Sequence, residues 1–236
     1  MSSRVAELVE SLAAVEYPGR GLALGRDSGG QPFALYWLTG RSPASQERRL
    51  SLPSDGQVLV HDTTGSADDP LRHYAAYEVG PGIVTVGNGT HVSDIAAAVR
   101  TTRDFPAALA EHDFEPDAPI RTPRIAGVAS LRGDAMAVAV GGARSCPASV
   151  DESDRVCVSA DDVPPGWVLT VNTYRGGAQN VSTDGTPRWL SVADPVGDLP
   201  KAVWNALDSR FRVAVTCATL TDDTRLGDVV FTGLHN

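Results

Sequence analysis

The chain has 236 residues, of which 42% are hydrophobic, and a formal charge of -9 at pH 7 from 20 Lys and Arg against 29 Asp and Glu. This length and composition suffice for a substantial core, and no Ser/Pro-rich linker divides the chain, so we predict a single domain over residues 1–236. The acidic balance argues against a nucleic-acid polymer or a membrane surface as partner, because both require a positive stripe. Three cysteines without C-x-x-C spacing and an N-terminus without an apolar leader favour a reduced, cytoplasmic location.

The N-terminal half begins with a helical pattern and continues with strands. Residues 2–15 place apolar side chains at helical spacing, with Ser2 or Ser3 as N-cap. The runs GLALG and PFALYWLTG flank RDSGGQ, which is typical of an antiparallel hairpin. Three further strands are predicted at QVLVHDT, HYAAYEV and GIVTV.

Two helices then interrupt the strands, at SDIAAAVR and RDFPAALAEH, with Ser93 and Asp104 as predicted N-caps. Strands resume at RIAGVASL, AMAVAVGG, RVCVSA and WVLTVNTY, while GGAR at 141–144 suggests a turn. A helix at LPKAVWNAL and a strand at FRVAVTCATL follow. Grouped helices and paired strands predict an α+β fold of antiparallel sheets covered by helices. Beyond residue 178 the sequence offers few candidate functional residues. The segment VSTDGTPRWLSVADPVGD is interpreted as a loop or a lid.

Several common chemistries are disfavoured by the residue pattern. DSGG resembles the loop around a trypsin-like nucleophile, but the first histidine is His61, so the order of that catalytic triad is impossible. Ser2 as an N-terminal nucleophile is disfavoured because it precedes a helix that it would cap. The histidines lack metal-ligand spacing, and no phosphate-binding glycine loop for a nucleoside triphosphate or dinucleotide occurs. We therefore expect neither a metal nor a cofactor.

Arginines at strand ends are the most informative feature. Arg20 precedes a strand, Arg41 follows one, and Arg124 precedes a third. Each alone is best explained as a solvated surface residue. Their neighbours, including Ser42 and Thr122, supply hydroxyls and backbone NH groups that suit an anion, and guanidinium groups bind phosphate in bidentate fashion.

Asn88, in an Asn-Gly turn, could add an amide donor to such a site. Asn-Gly is equally the commonest signal of a bare hairpin, so both interpretations of Asn88 stand.

Five segments in this order resemble the archaeal-type IMP cyclohydrolase family: YPGRGLALG, YWLTGRSPASQER, HYAAYEV, VGNGTHVSDI and FEPDAPIRTPRIAGV. The resemblance covers residues 17–128 and extends loosely through VNTYRGG, which adds Tyr174 as a binding residue. It implies a four-layer αββα sandwich like that of the N-terminal-nucleophile hydrolases, without their nucleophile. The implied reaction closes a formylated imidazole carboxamide ribotide to inosine monophosphate (IMP) with loss of water, with no cofactor.

By the same resemblance, Tyr77 and Glu115 occupy catalytic positions. We expect Glu115 to relay protons or orient the carboxamide, and Tyr77 to donate a hydrogen bond to the developing oxyanion. The plainer alternatives are a core tyrosine and a solvated loop acid.

One departure from the family pattern concerns a functional arginine, which is replaced here by Gln46. Either Arg48 supplies the guanidinium from two residues further on, or Gln46 substitutes a neutral donor. A lost charge beside an oxyanion would cost about 3 kcal/mol.

Three functions therefore compete. The first is an IMP cyclohydrolase acting on a small ribonucleotide; the second is a non-catalytic module that binds purine ribotides. The third is a diverged relative that cyclises or hydrolyses another ribonucleotide. Association into homo-oligomers is left open by the sequence.

Overall fold

The computed structural model describes residues 7–54, 56–62 and 71–235. Within these ranges the protein has two large antiparallel sheets, one short two-stranded sheet and a few helices, and is therefore of the α+β class. The helices are α1 (Glu7–Ala13), α2 (Pro43–Gln46), α3 (His91–Thr102), α4 (Phe105–Ala110) and α5 (Leu199–Ala206).

The first large sheet has six strands in the order β13-β10-β1-β2-β14-β15. Its central hairpin pairs Leu22 with Tyr36, and the apolar runs on both sides of the DSGG turn form it, as predicted. The strands are β1 (Gly21–Arg26), β2 (Pro32–Thr39), β10 (Trp167–Asn172), β13 (Arg188–Ser191), β14 (Arg212–Leu220) and β15 (Leu226–Gly233).

The second large sheet has seven strands that follow one another in chain order, from β3 to β9. The strands are β3 (Arg48–Ser54), β4 (Gln57–Asp62), β5 (Tyr74–Gly80), β6 (Ile83–Gly87), β7 (Arg124–Arg132), β8 (Ala135–Cys146) and β9 (Ser149–Ala160). The short sheet consists of β11 (Tyr174–Gly176) and β12 (Val181–Thr183).

The buried apolar residues fall into three main clusters, because each strand alternates its side chains between two faces. The largest contains residues of both large sheets, such as Leu22 and Val84. A second joins α1 and α5 to the other face of the six-stranded sheet, through residues such as Leu8 and Val203. A third joins α3 and α4 to the seven-stranded sheet.

Some sequence predictions fail at element ends. Helix α3 begins at His91 with Thr90 as N-cap, so the cap predicted at Ser93 is wrong; Ser93 Oγ instead donates to Glu78. Asp104 caps α4 as predicted, accepting a hydrogen bond from the Ala107 amide.

Other predictions concern loops and the N-terminus. The turn predicted at residues 141–144 is wrong, because these residues lie inside β8, where small side chains leave room for close packing. Ser2 and Ser3 lie outside the described residues. The segment 181–198, predicted as a loop or lid, contains the strands β12 and β13.

Candidate functional site

A cavity of about 570 Å³ lies where the loop before β1, the end of β2, the start of β3 and the loop between α4 and β7 meet. Two antiparallel sheets bring these distant segments together because their strand ends share one edge of the fold. The cavity is lined by Tyr17, Gly19, Arg20, Thr39, Arg41, Ser42, Ala44, Ser45, Arg48, Leu71, Arg72, Glu115, Asp117, Ile120, Thr122 and Tyr174.

A buried ion pair between Arg20 and Glu115 forms one wall. Nη2 of Arg20 lies 2.8 Å from Oε2 of Glu115, and the two residues are 8% and 4% exposed. Nη1 of Arg20 donates to the Asn88 carbonyl at 2.9 Å. Burial raises the pKa of Glu115, although the neighbouring Arg20 acts in the opposite direction. A carboxyl with a raised pKa beside a cation is suited to taking up and releasing a proton.

Asn88 contacts both members of this pair on the side away from the cavity. Its Nδ2 donates to the Pro123 carbonyl at 2.9 Å and approaches Oε1 of Glu115 at 3.4 Å, while its Oδ1 accepts from the Ile125 amide at 2.8 Å. All its polar groups therefore contact protein, and Asn88 positions Glu115 without lining the cavity.

Gly19 lets the backbone turn immediately before Arg20, which forms part of this wall. Its φ is +73°, and a Cβ on it would lie 2.1 Å from Oγ1 of Thr173. Only glycine accommodates both the backbone conformation and the close approach. This turn delivers Arg20 into the cavity.

A hydrogen-bonded chain of Asp117, Thr122 and Tyr174 forms the adjacent wall. The Thr122 hydroxyl contacts both the Asp117 carboxylate and the Tyr174 hydroxyl, and the Thr122 amide donates to Asp117 at 2.8 Å. Tyr174 stacks on Tyr17 with 5.6 Å between ring centroids. Burial raises the pKa of Tyr174 to about 12, so its hydroxyl remains a neutral donor or acceptor. The two rings offer a flat apolar surface next to polar groups.

Three further arginines line the cavity and add to its positive charge. Arg41 lies over the Tyr17 ring at 5.3 Å and donates to the Ala178 carbonyl at 2.9 Å. Arg48 is anchored by hydrogen bonds of 3.0 Å to the carbonyls of Ser45 and Thr39.

Arg72 pairs with Asp62 and donates to the Ala44 carbonyl at 2.6 Å. With Arg20, the lining thus holds four guanidinium groups against the carboxylates of Glu115 and Asp117. This excess of positive charge in an acidic protein suits a small anion.

Seven of the eleven site residues predicted from sequence line this one cavity; they are Arg20, Arg41, Ser42, Arg48, Glu115, Thr122 and Tyr174. Ser42 also caps α2, because its hydroxyl accepts from the Ser45 amide at 3.1 Å. The structure thus brings together groups that are up to 154 residues apart in sequence. Their chemical roles stay predictions.

Tyr77 is one of the four that do not line the cavity. It is fully buried between the large sheets, and its hydroxyl lies 3.0 Å from the Ala34 carbonyl and 3.1 Å from that of Thr216. The plainer alternative, a core tyrosine, matches this position. Tyr74, three residues earlier, lies in the same core cluster, because the β4–β5 pairing has a register shift between these residues. Its hydroxyl lies 2.8 Å from that of Tyr36, close enough to Arg20 for mutual electrostatic influence.

Gln46 and Arg124 also lie elsewhere. Gln46 Nε2 donates to the carbonyls of Gly40 at 3.2 Å and Arg210 at 2.8 Å, so this amide stabilises a loop. Arg124 approaches the Asp113 carbonyl at 3.4 Å on the exposed side of β7. Asn88, the fourth, lies behind the Arg20–Glu115 pair.

Sequence reasoning missed Asp117, Arg72 and Tyr17. Asp117 stands two residues after Glu115 in FEPD, a paired-carboxylate signal that was available. Arg72 lies in a segment without a periodic pattern, and the stacking of Tyr17 on Tyr174 depends on a contact between distant segments.

A larger cavity of about 740 Å³ lies at the other ends of β4 and β5, near the turn between β14 and β15. The charged side chains in its described lining, Asp223 and Arg225, are exposed and pair with each other at 2.8 Å. It offers no convergent set of chemically useful groups, so the smaller cavity is the candidate site.

Within residues 7–54, 56–62 and 71–235 no cluster of three or more His, Cys, Asp or Glu side chains is arranged to hold a metal ion. Across the same ranges, no helix has the length and apolar character needed to span a bilayer.

The fold and the cavity together define an α+β protein with an arginine-rich cavity that has a buried carboxyl in its wall. Residues 17–225 match the family described as IMP cyclohydrolase-like protein, and the chain belongs to this family. The chain is 32% identical over 114 residues to the IMP cyclohydrolase of Methanocaldococcus jannaschii, a match that covers 48% of this chain. It spans about 56% of the length of that relative.

Proposed function

We propose that this protein is an enzyme that closes the pyrimidine ring of 5-formamidoimidazole-4-carboxamide ribotide to give IMP and water, in purine nucleotide biosynthesis. Family membership and the activity named for the archaeal relative support the reaction class. The observation that carries the proposal is the buried Arg20–Glu115 pair in the wall of an arginine-rich cavity. A ribotide phosphate needs the cations, and the ring closure needs the carboxyl.

In the proposed reaction, the carboxamide nitrogen attacks the formyl carbon and forms a C–N bond, so the formyl oxygen gains negative charge. The attacking nitrogen loses one proton and the formyl oxygen gains one, which makes a hydroxyl. The former formamide nitrogen then loses its own proton as its C=N bond forms, and the C–O bond breaks as the hydroxyl takes up a proton and leaves as water. Glu115 takes a proton from nitrogen and returns one to oxygen in each stage, so that it ends unchanged. Since the reaction is intramolecular, holding the two groups in contact supplies much of the rate enhancement.

Stabilisation of the oxyanion is assigned to a guanidinium group. Arg48 is favoured over Gln46, because the Gln46 amide is engaged with two carbonyls whereas Arg48 lines the cavity. Tyr77 is not assigned to this step, because its hydroxyl contacts two core carbonyls, whereas the Tyr36–Tyr74 hydroxyl pair is close enough to Arg20 to influence it electrostatically. Fixed donors of this kind typically contribute about 3 kcal/mol to such a step.

The fine architecture and setting belong to the same proposal. We infer a single domain with a four-layer αββα arrangement like that of the N-terminal-nucleophile hydrolases, supported by the division of the core into one cluster shared by both sheets and two helix-covered clusters. We also propose a cytoplasmic enzyme that requires neither metal nor cofactor.

The test is a turnover assay with the formylated ribotide, which follows IMP formation by ultraviolet absorbance. Glu115→Gln removes the titratable carboxyl with little change in shape, and we expect kcat to fall by about 100-fold or more. Glu152→Gln, an exposed position on β9, is the matched control and should keep full activity. Absence of enzyme-dependent IMP, or full activity of Glu115→Gln, would refute the proposal.

A second candidate rests on Gln46, which stands where the family resemblance places an arginine. A relative redirected to another ribonucleotide would turn over its own substrate while binding IMP weakly. A protein that binds IMP tightly without turnover would instead be a purine-ribotide-binding module. Calorimetric titration with IMP, run beside the turnover assay, separates the two.

A further inference from the structure

His91, the first residue of α3, has a buried imidazole with one nitrogen unpartnered. The residue is 1% exposed, and Nε2 lies 3.1 Å from the Ile125 carbonyl oxygen. A carbonyl only accepts hydrogen bonds, so Nε2 carries the ring proton and Nδ1 keeps a free lone pair. Burial lowers the pKa of His91 to about 3, so the ring is neutral at physiological pH. Nδ1 is buried and has no hydrogen-bond partner among the described residues.

The lone pair of Nδ1 and the carboxyl of Glu115 converge on one small space above Gly89. A Cβ on Gly89 would lie 3.1 Å from Nδ1 of His91 and 3.7 Å from Oε1 of Glu115. Gly89 thus puts no side chain between two buried polar atoms on the same side of its backbone. Among the described residues, Oε1 has the long 3.4 Å approach of Asn88 Nδ2 as its hydrogen bond. A water molecule placed between Nδ1 and Oε1 would have polar partners on two sides.

We propose that His91 is a positioning residue for Glu115: its Nδ1 accepts a hydrogen bond from one water molecule held above Gly89, and that water in turn favours the protonated form of the Glu115 carboxyl. This inference deepens the proposed function and rests on it, because it assigns a greater proton affinity to the carboxyl that takes up and returns protons in that reaction.

Two physical effects act in the same direction. A neutral imidazole with its proton on Nε2 has the negative end of its dipole at Nδ1, and this end lies on the same side of Gly89 as the carboxyl, where it disfavours the ionised form. In addition, a water that donates to Nδ1 is polarised into a better acceptor for a carboxylic O–H. Removal of Nδ1 should therefore lower the pKa of Glu115.

The other charged groups around the pair do not replace this effect. Arg20 and Arg124 lower the pKa of Glu115, whereas Asp117 raises it from the cavity side. The ring of His112 meets that of His91 at 5.8 Å, but with the pKa of His112 lowered by burial it is also neutral near pH 7. Asn88 Nδ2, an uncharged donor 3.4 Å from Oε1, favours the ionised carboxyl, so His91 is an uncharged neighbour that acts in the opposite direction.

The test compares two substitutions that each keep a different half of the imidazole. In His91→Gln the amide reaches the Nε2 position and keeps a donor for the Ile125 carbonyl, but no group replaces Nδ1. In His91→Asn the amide oxygen occupies the Nδ1 position and keeps an acceptor. The full-length protein is labelled with carboxyl-¹³C glutamate and titrated by NMR, and the Glu115 signal is assigned by its loss in Glu115→Gln.

We expect His91→Gln to lower the pKa of Glu115 by about one unit, and His91→Asn to leave it close to that of the wild type. Equal titration in all three proteins, or an equal drop in both variants, would overturn the inference. The titration needs no substrate, so its result stands apart from the turnover assay: loss of IMP formation refutes the proposed reaction, while an unmoved Glu115 titration refutes the role of His91.

If the variants do not fold, the wild-type protein still tests the proposed role of His91. With ¹⁵N-labelled histidine, the Nδ1 signal of His91 should show an unprotonated nitrogen that shifts as Glu115 titrates. The same signal should not shift over that pH range in Glu115→Gln. A protonated Nδ1, or a shift that persists in Glu115→Gln, would contradict the proposal.

Discussion

The two tyrosines of β5 provide a sharp test, because the sequence predicts one as catalytic and the structure brings the other close to the site. Tyr77→Phe removes a hydroxyl that links the two large sheets by hydrogen bonding to the carbonyls of Ala34 and Thr216. The hydroxyl has one proton, so one net hydrogen bond is lost, which costs about 1 kcal/mol and lowers Tm by about 2–4 °C for a chain of this size. The ring stays in its pocket, so the cavity should be unchanged.

Tyr74→Phe should differ from Tyr77→Phe in turnover. It removes the hydroxyl paired with Tyr36, which influences Arg20 from outside the cavity lining, so we expect an indirect fall in kcat of about 10-fold with a similar small loss in Tm. Turnover is measured by the absorbance assay and stability by thermal unfolding of both variants and the wild type. A Tyr77→Phe variant that keeps its Tm but loses turnover would refute this reasoning and restore the catalytic role of Tyr77.

Two further substitutions test the cavity. Arg72→Ala removes a cation from the lining, and loss of one charge-assisted contact to phosphate should weaken IMP binding by about 10- to 100-fold in calorimetry. The control variant at an exposed position, Arg155→Ala, should bind IMP normally. Equal affinities of the two variants would exclude Arg72 from the phosphate site. Gly19→Ala places a Cβ 2.1 Å from Thr173 Oγ1 at a φ of +73°, so we expect a loss of about 2 kcal/mol or more in unfolding free energy by urea titration. Gly197→Ala, where a Cβ meets no atom within 4 Å, is its control, and similar stability of the two variants would contradict the strain argument.

Local patterns predicted most of the elements. Alternating apolar residues around a glycine-rich turn are sufficient for the β1–β2 hairpin, and Asp104 carries its own capping chemistry. Helix α3 shows where such signals fail. Serine is a residue type that often caps helices, but the Ser93 hydroxyl donates a hydrogen bond to Glu78 on β5, and the helix begins at His91. A partner distant in sequence decided that boundary.

The sequence by itself determined the class of the fold, the acidic surface charge and the loops that carry Arg20, Arg41 and Glu115, because periodicity, turn chemistry and motif order are local properties. Only the tertiary structure decided that Tyr74 and Tyr77 both lie in the core, where Tyr77 contacts Ala34 and Thr216 and Tyr74 contacts Tyr36, since a register shift in the β4–β5 pairing puts residues three apart on one face. It likewise decided that Arg72 joins the cavity and that Gln46 does not. Contacts between segments more than a hundred residues apart depend on how the sheets pack, and no local pattern encodes them.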